Sequence, residues 1–331
     1  MNPWTGHGGR LAAARAAYGD THAPWIDLST GINPHGWSGA HSVAIDWRAL
    51  PDEAALAGLE HAAAAYFGIA PEHLCALPGT EIGLRLLGTL LPRPARHVVP
   101  SYGTHAAMMA DSVPVPYTTL ADGAPGTTIL ANPNNPDGRL TGRAEMAALL
   151  DRTQSAGGWL VVDEAFADVH PEASIAGRVG EATPLILFRS FGKFFGLAGL
   201  RLGFIAGPAT IIARVRAMLG AWPLSTAAIA IGTAAYADAD WIARMRMHLS
   251  GEADALDAVL LRHGLSPLGI CPLFRLVETG DAKALFDHLA RRAILTRPFD
   301  HDPHWLRIGL PANAKALTRL DDALGQAVHS G

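Results

Sequence analysis

The chain reads as an α/β protein with a large domain on a mostly parallel sheet and a smaller α+β domain after it. Three observations predict this. Short β-rich runs alternate with helical patterns through the middle of the sequence, and such alternation builds parallel sheets. After Gly220 the alternation gives way to long, Ala-rich helical stretches with a few short strands. A chain of 331 residues is also long enough for two domains with sizeable cores.

Taken in order, residues 1–40 are assigned to an N-terminal arm that forms part of the small domain. Residues 41–222 form the large domain and 223–331 the small one. Strands are expected at 97–100, 113–117, 128–131, 159–163, 185–189 and 202–206. Helices are expected at 53–66, 81–91, 143–155 and 209–219. Ligands in such sheets bind at the carboxyl ends of strands. Beyond Gly220 a helical stretch at 226–263, broken near Asp238, leads to strands at 273–277 and 305–309. Two helices follow, at 282–292 and 314–328. The Ala-rich helices pack closely and need no cofactor to explain them. No repeat, low-complexity tract or long linker interrupts the pattern.

Composition excludes several function classes. With 26 basic and 30 acidic residues, neither nucleic acid nor an anionic membrane is a favoured partner. No apolar run is long enough to span a bilayer. The N-terminal M-N-P-W-T-G-H-G-G-R has no charged region followed by an apolar core, so no signal peptide is expected. Cys75 and Cys271 are far apart and give neither a disulfide framework nor a metal spacing, which fits a cytoplasmic protein with buried thiols. His301 and His304, in F-D-H-D-P-H-W, lack further spaced ligands and read as surface-loop residues, so no metal is expected.

The chemistry concentrates in Ser190 to Gly203, S-F-G-K-F-F-G-L-A-G-L-R-L-G. Lys193 offers an amine that can condense with an aldehyde. Ser190 and Arg201 can bind a phosphate, the arginine with a planar fork. Gly192 and Gly196 permit tight turns. A surface Lys and Arg beside a glycine turn is the plainer alternative. Asp163 ends the apolar run G-W-L-V-V-D-E, and a buried carboxylate needs a partner. Capping a following helix would also occupy it. Residues 132–138, N-P-N-N-P-D-G, force a turn. Residues 78–81, P-G-T-E, open a helix whose Gly79, Thr80 and Glu81 amides face an anion, unless Thr80 is only a cap. Tyr102, in P-S-Y-G-T-H, is half-buried packing or a ligand contact.

Together and in this order, these segments resemble fold-type-I pyridoxal-phosphate (PLP) enzymes. The resemblance implies that Lys193 carries PLP and that Asp163 pairs with the ring nitrogen, keeping the ring an electron sink. It also implies that Tyr102 stacks on the ring and that Asn135 bonds the ring oxygen. Gly79, Thr80, Glu81, Ser190 and Arg201 would hold the phosphate. Lys193, Asp163 and Tyr102 form the expected catalytic set. Two positions depart from the family pattern: Phe166 and Leu50 stand where relatives often carry tyrosines.

The chain ends narrow the resemblance. Residues 6–10, G-H-G-G-R, and 27–34, D-L-S-T-G-I-N-P, resemble the threonine-phosphate decarboxylase family of cobalamin biosynthesis, which is related to histidinol-phosphate aminotransferases. The implied substrate residues are His7, Gly8 and Gly9, with Arg10, for the phosphate, together with Asn33. Arg307 in W-L-R-I-G-L is implied for the α-carboxylate and Arg297 in L-T-R-P-F for a second anion. Structural ion pairing is the alternative for both arginines, and a disordered terminal residue is the alternative for His7. The family implies a homodimer acting on a small phosphorylated amino acid. The expected reaction converts L-threonine O-3-phosphate to (R)-1-amino-2-propanol O-2-phosphate. An aminotransferase for histidinol phosphate would use the same cofactor residues. A non-catalytic PLP-fold binding protein is the third alternative, and intact Lys193, Asp163 and Arg307 weigh against it.

Overall fold

The computed structural model describes residues 3–19 and 23–328, which divide into two compact units. One comprises Gly36–Asn135 and Leu140–Ile242. The other comprises the described residues up to His35, Pro136–Arg139 and those from Ala243 on.

The first unit is built on a seven-stranded sheet. Its strand order is Leu74–Leu77, Gly203–Ala206, Leu185–Ser190, Gly158–Asp163, Gly126–Ala131, Ala95–Val99, Val113–Pro116. Gly203–Ala206 runs antiparallel to both its neighbours, and every other pairing is parallel. Gly126–Ala131 is buried throughout, as central parallel strands covered on both faces must be. The outer strand Val113–Pro116 reads V-P-V-P, and proline is tolerated on an edge because a missing N–H costs nothing there. Leu77, Leu84, Ile129, Val161, Ile186, Phe188 and Val215 belong to one buried core.

Leu74–Leu77 was not anticipated from sequence. Four fully buried residues show no alternation, and so short a run carries no period. A buried helix residue positions it instead. Glu60 accepts the Ala76 N–H at 2.9 Å and pairs with Arg216 at 2.7 Å.

Helix Glu53–Phe67 starts where the Asp52 side chain accepts the Ala55 N–H, and it stops at Gly68, φ +70°. Helix Thr226–Ala237 packs on it. A Cβ at Gly232 would stand 2.6 Å from a Leu202 methyl and 2.9 Å from a Leu59 methyl. This close packing keeps Thr226–Ala237 in the sheet unit, although the sequence reading gave everything from 223 to the small domain. The chain leaves the unit at Ile242, within helix Ala239–Arg262. The arm likewise ends at His35 rather than at residue 40, and Pro136–Arg139 joins the second unit.

That second unit holds a four-stranded antiparallel sheet, Arg297–Phe299, Asp302–Gly309, Phe274–Glu278 and Pro267–Leu268. Ile26–Asp27 pairs in parallel with Ile294–Leu295. Helices Leu11–Tyr18, Ala282–Ala290 and Ala314–Val328, with helix Ala239–Arg262 from Ala243 on, complete it. Among the described residues, no helix is long and apolar enough to cross a membrane.

Candidate active site

In the sheet unit, candidate residues gather at the carboxyl ends of the parallel strands, with Asp163 and Ser190 as the last residues of theirs. Gly79, at φ +89°, precedes helix Thr80–Leu87, whose first turn has no side-chain cap. Its first N–H groups therefore suit an anion. A Cβ at Gly79 would stand 2.8 Å from the Arg201 Nη2, and one at Gly203 would stand 2.9 Å from the Thr80 amide nitrogen. Ser190 is in register with Gly203. Arg201 is exposed in the left-handed region, φ 54°, where its Nη1 donates to the Ala198 carbonyl at 3.3 Å. Gly79 and Gly203 thus let Arg201 and the Thr80 amide approach closely beside Ser190, a set of donors that suits a phosphate.

Glu81 adds more than its amide. Its Oε2 accepts from the Tyr102 hydroxyl at 2.9 Å and from Thr104 at 2.6 Å, while Oε1 accepts from Arg85 at 2.8 Å. Burial acts to raise its pKa, but bonds from Thr104, Arg85 and Tyr102 outweigh that and hold the carboxyl below its usual value. Tyr102 immediately precedes helix Gly103–Ala107. Burial pushes its phenol up to about 12, so it remains a neutral hydroxyl at physiological pH.

Asp163 is 6% exposed. Its Oδ2 lies 3.0 Å from the His105 Nε2, and its Oδ1 accepts the Ala165 N–H at 3.0 Å. The next helical turn, Ala167–Val169, begins after Phe166, so Asp163 is not its cap. His105 is fully buried and meets Tyr102 edge-on, with centroids 5.8 Å apart. Sequence reasoning missed His105; its signal was the position three residues after Tyr102, one helical turn along.

Lys193 sits in the short helix Phe191–Phe194. Phe191 stacks on Phe195 at 4.5 Å, and Phe194 and Phe195 both meet Trp241 at 5.6 Å. The phenylalanines are buried, which leaves Lys193 half-buried with its Nζ 5.6 Å from the Phe166 ring centre. A Cβ at Gly192 would come within 2.6 Å of the Ala198 Cα, so this turn requires glycine. Of the three asparagines in the turn, Asn132 bonds the Thr141 backbone in both directions and Asn134 donates to the Pro100 carbonyl. Both are buried, whereas Asn135 is half-buried.

A buried ionic network supports these strand ends. Arg189 pairs with Glu164 at 3.0 Å and with Asp168, and Ser174 donates to Glu164 at 2.6 Å. Glu164 and Arg189 each adjoin a candidate site residue, and neighbours along extended chain point to opposite faces. The D-E and R-S doublets were the overlooked signal.

The second unit carries the other candidates. Arg297 and Arg307 are direct cross-strand partners, 9% and 3% exposed. Arg297 donates to the Gly6 carbonyl and Arg307 to the Ser29 carbonyl, each at 2.8 Å. Burial first, then the neighbouring Arg297, pushes Arg307 down to about 9. Like charges placed opposite one another in a sheet destabilise it, and a bound anion would relieve that.

The two N-terminal motifs mate. A Cβ at Gly8 would lie 2.3 Å from the Ser29 carbonyl oxygen. The Gly9 N–H donates to the Ser29 hydroxyl at 2.8 Å, and that hydroxyl donates to Asp27. The Gly9 amide expected to bind phosphate is therefore already engaged. His7 and Arg10 are exposed. Asn33 is buried, and its Oδ1 accepts the His35 N–H at 2.8 Å, a loop-forming role beside the expected substrate role.

The pattern of the family "Aminotransferase class I and II" matches residues 118–323. The chain is 41% identical over 330 residues to a threonine-phosphate decarboxylase of Sinorhizobium sp, covering 97% of both chains. It is 38% identical to a threonine-phosphate decarboxylase of Pseudomonas aeruginosa, covering 96% of each. A crystal structure of histidinol-phosphate aminotransferase from Sinorhizobium meliloti, in complex with pyridoxal-5'-phosphate, superposes with a TM-score of 0.81. Identity to that structure is 21%, covering 97% of this chain and 95% of that one. The chain belongs to the aminotransferase class I and II family.

Proposed function

We propose that this protein is a PLP enzyme that removes the α-carboxylate of L-threonine O-3-phosphate as carbon dioxide. The product is (R)-1-amino-2-propanol O-2-phosphate, used in cobalamin biosynthesis. Identity of 41% across 97% of the chain to a protein named threonine-phosphate decarboxylase supports the reading. Among structural features, the buried, in-register pair Arg297 and Arg307 is compatible with it, because two guanidinium groups side by side suit a substrate with anionic groups.

The cofactor, once bound, supplies an aromatic ring that accepts electrons from the substrate's Cα. Gly79, Thr80, Ser190 and Arg201 bind its phosphate, with Glu81 holding the helix start and Tyr102 in position. Asp163, oriented by His105, would pair with the ring nitrogen and keep it protonated. Asn135 binds the ring oxygen, and Phe166 offers no hydroxyl there. Lys193 would anchor the aldehyde carbon, and its amine or a water would supply the proton that Cα takes up. Arg307, already tied to the Ser29 carbonyl through Nη2, would hold the α-carboxylate and so orient the bond that breaks. Arg297 and the His7–Gly8 segment bind the substrate phosphate.

The protein works as a cytoplasmic homodimer in this reading. Trp47, Leu50 and Trp222 of the sheet unit are 78%, 66% and 59% exposed, an apolar display that suits a second copy. Leu50 also lines an apolar groove of about 570 Å³ beside helix Thr226–Ala237.

The test is incubation with carboxyl-labelled threonine phosphate. Labelled carbon dioxide should appear without any keto-acid acceptor. A requirement for 2-oxoglutarate, with glutamate formed from histidinol phosphate, would replace this reading with the aminotransferase.

A further inference from the structure

Among the described residues, one group of His, Cys, Asp and Glu brings its ligand atoms within 4.8 Å of one another: His35, His248 and Glu252. All three belong to the smaller-sheet unit, where His35 is the last residue before the chain passes into the other. His248 and Glu252 are four residues apart on helix Ala239–Arg262, so they lie side by side on one face.

The geometry is tight. The His35 Nε2 stands 2.8 and 2.9 Å from the two oxygens of Glu252. The His248 Nε2 stands 3.2 Å from Oε1 of the same carboxylate. The two imidazoles meet at 66°, centroids 4.8 Å apart. Nitrogen and oxygen ligands about 2.0–2.1 Å from a tetrahedral zinc lie roughly 3.3 Å apart, so these spacings need only small side-chain adjustments to surround an ion. Hydrogen bonds alone explain the arrangement less well, because both oxygens of Glu252 crowd one ring nitrogen, which has at most one hydrogen to give.

We propose that His35, His248 and Glu252 bind one divalent transition-metal ion, with water as the fourth ligand. Two imidazoles and one carboxylate suit zinc, cobalt or nickel and not magnesium or calcium, which take oxygen ligands. A pocket of about 420 Å³, lined by His248 and Glu252 together with Pro311 and Asn313, leaves room for the water. Exposed His248 gives the ion access. Each ring coordinates as the neutral imidazole through Nε2 with its proton on Nδ1, and any further proton leaves to solvent.

The site's place in the chain gives the ion a consequence. The His35 N–H is bonded to Asn33, and Ser29, six residues before His35, accepts from Arg307. The ion therefore staples the segment that holds Arg307 to the long helix. It raises stability without touching the reacting atoms.

The test uses PLP-loaded protein dialysed free of metal. Titrated Co²⁺ should develop visible d–d absorption saturating at one equivalent. Zn²⁺ should abolish that absorption, while millimolar Mg²⁺ should leave it unchanged. His35→Ala, His248→Ala and Glu252→Gln should each weaken binding by roughly 100-fold or more. Zn²⁺ should raise the melting temperature of the wild type and not that of His248→Ala, whose exposed side chain makes folding of the variant safe. Failure of the wild type to bind Co²⁺ stoichiometrically would overturn the proposal. So would unchanged affinity in His248→Ala, which would put the ion on other histidines.

Discussion

At the scale of single residues, the informative positions are those where burial and charge conflict. Asp163 is a buried carboxylate whose two oxygens are held by His105 and the Ala165 amide. Such a group is costly to keep charged and is more readily explained by catalysis than by stability. Asp163→Asn should keep the fold and lower turnover by about 10²-fold or more, since the amide cannot hold the ring-nitrogen proton. Circular-dichroism melting beside the carbon dioxide assay checks both halves, and wild-type turnover would remove Asp163 from the mechanism. Arg307 poses the reverse problem, a buried cation opposite another. Pushed down to about 9 by burial and Arg297 against the opposing pull of Asp27, it is still charged at neutral pH, where an anionic substrate group would bind it favourably. Arg307→Lys keeps the charge and loses the planar fork. It should cut decarboxylation by about 10²-fold while sparing PLP binding, which cofactor absorbance measures. The sequence singles out the lysine motif, Asp163, Tyr102 and Arg307 as candidates because each is a chemically distinctive residue in or just after a strand. His105 and Arg189 are not singled out, because their partners Asp163, Glu164 and Asp168 are distant in sequence and contact cannot be read from spacing.

At the scale of elements, Glu81 ties the start of helix Thr80–Leu87 to Tyr102 and Thr104 at the start of helix Gly103–Ala107. Its carboxyl pKa is depressed in the folded protein. A depressed acid contributes stability above its unfolded value, about 4.5, and loses it as pH falls through the lower folded value. Glu81→Gln should therefore melt below the wild type at pH 7. The gap should shrink as pH drops below about 4.5. A gap independent of pH would mean that the loss is one of packing. Helix positions were legible because their caps and periods are local: 143–155, 209–219 and 314–328 were all expected and are observed at those bounds. Leu74–Leu77 and Arg297–Phe299 escaped because short strands acquire their identity from partners far along the chain.

At the scale of the whole molecule, the chain changes unit at positions that composition does not mark. The G-A-W-P-L-S-T segment at 220–226 interrupts the helical pattern, yet the unit boundary falls later, at Ile242. Thr226–Ala237 is claimed by its contact with Glu53–Phe67, a contact between residues more than 150 apart. The same sheet unit displays Trp47, Leu50 and Trp222 to solvent in the single chain. In the proposed dimer, those of them that a twofold partner covers would leave water at about 25 cal/mol per Å². The family resemblance implies a tyrosine at the position of Leu50. The leucine side chain offers a partner apolar contact and no hydroxyl for a phosphate. Leu50→Asp places a charge on the proposed interface, where desolvation without a partner is costly. It should shift sedimentation of the protein from dimer to monomer and lower turnover with it, while the isolated chain keeps its circular-dichroism spectrum. An active wild-type monomer in the same sedimentation experiment would refute the dimer and return these side chains to ordinary surface.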